Sequence, residues 1–174
     1  MRARSRGFSM MEVLVAMLVI GTGALAIAML QLHALRSGQD SSLQARATLM
    51  AQELAELRAA LPPLSGTTDP TLFSLSPGRP PQATVDCEQA ACGPHDFTQA
   101  VLADWSGRLV RDFPQARATV CRDAQQTPHP DWNCDGLASS PLVLKLAWRR
   151  LGTASAPASS ATSATPLLML VLGH

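Results

Sequence analysis

From Val13 to Leu35 the chain carries no charged residue, and Val13 to Leu30 is apolar apart from Gly21, Thr22 and Gly23. As a helix those 23 positions extend roughly 34 Å, enough to cross a hydrocarbon core of about 30 Å. The pattern then changes without a break. Leu43, Ala47, Met50, Leu54, Leu57 and Leu61 recur at spacings of 4, 3, 4, 3 and 4, which lays one narrow apolar stripe along a helix. Gln44, Arg46, Gln52, Glu53 and Glu56 fall off that stripe. No proline occurs between Met1 and Leu61, and Pro62-Pro63 ends the run. The spacing predicts one helix over 9–61, about 75 Å long. Its first half belongs in lipid or among similar helices, and its second half packs its stripe on a soluble domain.

Pro62, Pro63, Pro70, Pro77, Pro80, Pro81 and Pro94 leave 62–95 irregular, with short strands at most. Asp96 and Gln99 have capping-box spacing, so a second helix is expected over 97–111. Phe97, Val101, Leu102, Trp105 and Leu109 form its apolar face, and Asp104-Trp105 reads as a core tryptophan beside a solvated acid. The remaining chain reads as strands. Arg117 to Cys121 alternates, and Leu142, Leu144, Leu146 and Trp148 point one way while Val143, Lys145, Ala147 and Arg149 point the other. Leu167 to Leu172 is continuously apolar, the pattern of a central buried strand. Gly152 to Thr165 is almost wholly Ala, Ser, Thr, Gly and Pro, and its composition builds no core. The fold class is α+β: a long amino-terminal helix whose second half packs on a small antiparallel sheet.

Charge adds orientation. Arg2, Arg4 and Arg6 precede the apolar run with no acid among them, so the positive-inside rule keeps them cytoplasmic and exports everything after Leu35. Over the 174 residues the formal net charge is +1 and aromatics are 4%, without tyrosine, so no nucleic-acid partner is expected. Four cysteines lie on the exported side, where disulfides persist. Three pairings are open. Cys87–Cys92 with Cys121–Cys134 is favoured because each closes a local loop. Partial zinc sets drawn from Cys87, Cys92 and His95, or from Cys121, His129 and Cys134, lack standard ligand spacing, and no metal or cofactor is expected. Asp123, Asp131 and Asp135 surround the second cysteine loop and read as a polar turn. His33 and His174 read as solvated. No nucleophile elbow, zinc-protease helix, phosphate-binding loop or dinucleotide fingerprint occurs, so the chain is read as a non-enzyme.

A cleavable secretory signal or a plain anchor leaves Glu12 unexplained, since a carboxylate adjoining a membrane span is costly without a partner. Gly7-Phe8-Ser9-Met10-Met11-Glu12, a basic leader, and the uncharged run together resemble the class III signal of type IV pilins. The longer stretch from Gly7 to Leu35 is similar to the PilV-type minor pilins, and Asp104-Trp105 resembles a pair in such sequences. The resemblance implies cleavage between Gly7 and Phe8 by prepilin peptidase, with N-methylation of Phe8. It assigns Glu12 to subunit assembly, through a salt bridge to the new amine of a neighbouring subunit. Losing the leader's three arginines leaves a formal charge of −2. The implied organisation is a leader over 1–7, a transmembrane and assembly helix over 8–35, and a periplasmic domain over 36–174. The implied partners are prepilin peptidase, an inner-membrane assembly platform, other minor pilins, the major pilin and a tip adhesin. A minor pilin that primes pilus assembly and joins the tip complex is the reading. A pseudopilin of type II secretion shares the leader and the glutamate and is the nearest alternative, followed by a membrane-anchored periplasmic protein of other function.

Overall fold

A computed structural model describes residues 7, 9–61, 69, 71–77, 79, 86–124, 131–150 and 165–173. The proline pair at 62–63, residues 152–164 of the low-complexity stretch, His129 and His174 lie outside the described residues. Helix α1 spans Met10–Ala60, 51 residues without interruption, as the spacing predicts. The chain divides inside this helix into two units, Met1–Ser41 and Ser42–His174.

In the second unit the predicted stripe is core. Ala47, Met50 and Leu54 are buried, Leu43 and Leu57 are partly buried against them, and Ala51 joins them. Helix α2 covers Pro94–Asp112. It begins before the expected start at residue 97. Gly93 is the N-cap and makes no side-chain cap bond, while Pro94 occupies the first turn. Proline's fixed φ and missing N–H suit that position, so Asp96 already lies inside the helix and the Asp96/Gln99 capping box does not form. The buried face is Thr98, Leu102, Trp105, Ser106 and Leu109. Phe97, expected on it, is 48% exposed. Trp105 is fully buried and its indole N–H donates to the Met50 carbonyl at 3.0 Å. Arg108, one turn on, chelates Glu53 with bonds of 2.5 and 3.0 Å and also meets Asp104 at 3.0 Å. These contacts tie α2 to the second half of α1.

The sheet has four antiparallel strands in the order β1-β2-β3-β4: Phe73–Leu75, Arg117–Arg122, Leu142–Ala147 and Leu168–Gly173. Leu75, Ala118, Val120, Leu142, Leu144, Leu146 and Leu172 join the core residues of both helices. Two expectations need correction. The apolar run at 167–172 forms an edge strand, with Val171 half exposed. Apolar character reports burial of side chains and is silent on how many neighbours a strand has. The alternation in 142–149 predicts one wet face, yet all six residues of β3 are buried. On the second face of β3, Lys145, the chain's only lysine, is 1% exposed and reaches Asn133 and Asp131 of the segment 131–134.

Candidate processing and assembly segment

Ser9 precedes the first turn of α1. Its hydroxyl accepts the Met11 N–H at 3.3 Å, and its carbonyl accepts the N–H groups of Glu12 at 3.0 Å and Val13 at 3.3 Å. Ser9 is thus the N-cap, and Glu12 stands three residues on, in the first turn. That S-x-x-E spacing is a helix-start signal, legible in the sequence and missed by reading apolar periodicity alone. A carboxylate there also faces the positive end of the helix dipole, worth about 0.3–1 kcal/mol at an exposed site. Glu12 is exposed, and no described cation pairs with it. Gly7 is exposed, and a methyl group built on it would meet nothing within 4 Å. Phe8 and the leader arginines lie outside the described residues.

Every described side chain from Ser9 to Gln39 is exposed. The exposed set includes Leu14, Leu18, Ile20, Leu25, Ile27, Leu30 and Leu35. Each would be stabilised by roughly 1.5–3 kcal/mol on leaving water, and no described residue of this unit covers them. The Thr22 hydroxyl is satisfied by the carbonyls of Leu18 and Val19, both at 3.0 Å, so it presents no unbonded donor to an apolar surrounding. The helix Met10–Ala60 is long and apolar enough to cross a membrane.

The four cysteines are paired in the second unit. Cys87–Cys92 has a Cα separation of 5.4 Å and Cys121–Cys134 one of 6.2 Å, both within the usual range. Around the second bridge the acids are not simply a solvated turn. Asp123 meets Lys145 at 2.5 Å and Asp131 lies 3.7 Å from the same ammonium. Asp135 accepts bonds from the Ala124 N–H at 2.8 Å, the Ser140 hydroxyl at 2.7 Å and the Leu137 N–H at 2.9 Å. The Ala124 bond first, then the other two, hold its carboxyl below the ordinary value of 3.8. Among the described residues no set of three metal-ligand side chains is gathered. An apolar pit bounded by Leu54, Arg58, Leu102, Val120 and Leu172 is too tight to admit water.

Neither a curated protein nor a solved structure matches the chain. The family model for the prokaryotic N-terminal methylation motif matches residues 2–28. The chain therefore carries a prepilin-type amino terminus, the kind that type IV pilins and pseudopilins share.

Proposed function

We propose that the chain is a minor subunit of a type IV pilus, of the PilV type, which primes fibre assembly and joins the tip complex. The observation that carries this reading is the methylation motif at 2–28 leading into an apolar helix that its own unit leaves bare. The protein's work is then structural. It is cut between Gly7 and Phe8, methylated on Phe8, and held in the bacterial inner membrane with a periplasmic carboxy-terminal domain until it enters the fibre. Its partners are prepilin peptidase, the assembly platform, other minor pilins, the major pilin and a tip adhesin.

Glu12 gives the reading its mechanism. Cleavage creates an amine on Phe8, four residues before Glu12 in the sequence. Either charge costs several kcal/mol if it enters an apolar fibre core unpaired. A bridge from Glu12 of one subunit to the amine of another offsets that cost and fixes their axial register. Pairing within one chain is the competing arrangement. Glu12→Ala is expected to be cleaved and inserted normally but to enter the fibre poorly. The check is to express it in a strain lacking the native copy and blot membranes and sheared pili separately. Normal incorporation with normal pilus number would remove the assembly role. A wild-type chain recovered with a type II secretion complex and absent from pili would favour the pseudopilin alternative.

A further inference from the structure

The second face of the sheet carries a small polar layer that the pilin reading does not use. Arg117, Thr119 and Cys121 of β2 alternate onto that face, as do Val143, Lys145 and Ala147 of β3. Three of these side chains reach the same short segment. Cys121 is bonded to Cys134. The Arg117 guanidinium lies 3.9 Å from the centre of the Trp132 ring. Lys145 donates to the Asn133 carbonyl and pairs with Asp123 and Asp131.

Lys145 differs from the other two contacts in burial. Its side chain is 1% exposed and that of Asp123 2%, so this is an ion pair removed from water. Such a pair is held only where hydrogen bonds use the remaining donors. An ammonium has three N–H donors and no acceptor. Here its close partners are the Asp123 carboxylate at the end of β2 and the Asn133 main-chain carbonyl of the segment, next to Cys134, with the Asp131 carboxylate of the segment adding its charge at 3.7 Å. If the segment lifted away, the ammonium would lose the Asn133 acceptor and the nearby Asp131 charge. The chain otherwise uses arginine for its cations, thirteen of them. A guanidinium is a broad planar fork, whereas an ammonium is a compact point donor, and the site is built around a point.

We propose that Lys145 is an electrostatic latch for the Cys121–Cys134 loop. The buried ammonium holds the 131–134 segment on the sheet, keeps Cys134 beside Cys121, and so makes this bond resist reduction. Among the described residues Cys87–Cys92 has no buried ion pair beside it; its neighbourhood is a short turn in which the Asp86 carboxylate accepts from the Glu88 N–H and the Gln89 amide. The two bridges of one molecule are therefore an internal comparison. The inference concerns the second unit's own fold and stands whether or not the fibre role holds.

The test is a reductant titration of the purified full chain in detergent. Dithiothreitol is oxidised to its cyclic disulfide as each protein bridge takes up two electrons and two protons. Freed thiols are alkylated, and peptide mass mapping assigns them; the wild type should yield Cys87 with Cys92 and Cys121 with Cys134. In the double variant Lys145→Leu with Asp123→Leu, no charge is left buried and unpaired. The proposal expects Cys121–Cys134 to open at roughly tenfold lower reductant or less, as the loss of a charge-assisted bond implies, with Cys87–Cys92 unmoved. Asp131→Asn, at a half-exposed site, should shift the same bridge in the same direction by a smaller factor, and it carries the test if the double variant fails to fold. Midpoints for Cys121–Cys134 unchanged in the folded variants would overturn the latch. So would equal shifts at both bridges, which report general loosening.

Discussion

A methyl group placed on Gly7 would touch nothing, so the fold itself makes no demand for glycine there. Any demand comes from outside the chain, and a peptidase site that accepts glycine before its cut is such a demand. Gly7→Val is therefore expected to leave the structure intact and the leader attached. Intact mass should exceed that of the mature form by the seven residues Met1 to Gly7. Normal cleavage of this variant would count against the prepilin reading. The methylation motif over 2–28 was legible from the sequence because its signal lies in linear spacing beside an uncharged run. Ser9 was equally legible, by its distance from Glu12, and needed only a question about helix starts. Lys145 was not. Alternation placed it on the second face of β3, but whether that face is wet depends on a segment whose position the alternation does not encode.

Elements were legible where one physical signal dominates. The stripe from Leu43 to Leu57 is long and strictly periodic, and it fixed both the existence of α1 and the face it buries. The start of α2 was misjudged because two cap signals compete within four residues, and the backbone follows the proline. The place of β4 was misjudged because strand order is a property of the whole sheet. The described part of the connection from β2 to β3, residues 123–124 and 131–141, is an element of another kind, held by side chains bonding to its own backbone and side chains. Asp135 is its centre, accepting from Ala124, Ser140 and Leu137. Its carboxyl titrates lower in the folded protein than the ordinary 3.8, so its contribution is present above that value and fades as pH falls through the depressed one. Asp135→Asn should melt below wild type at neutral pH, and the gap should hold down to about pH 5 and narrow in more acid buffer. Thermal unfolding of both proteins across that range is the check. A gap independent of pH would assign the loss to shape and not to the charge.

At the scale of the whole molecule the chain places all its described buried residues in one unit. Residues 9–39 have none, and the core begins with Ala47. Stability is thus a property of Ser42–His174, while the first unit is fitted to surroundings the chain does not supply. That division matches what a membrane-anchored fibre subunit needs, a bare helix for packing among others and a domain that folds on its own contacts. The burial of the only lysine also makes the protein a reporter of its own unfolding. A protease that cuts solely after lysine has one possible target, Lys145, in the middle of the central strand β3. Both disulfides lie on the amino-terminal side of it, so a single cut would release Leu146–His174 unlinked. Whenever closure outpaces cutting, the rate of that release measures the fraction of molecules in which β3 has opened. No introduced probe is required, and the folded population stays intact and silent.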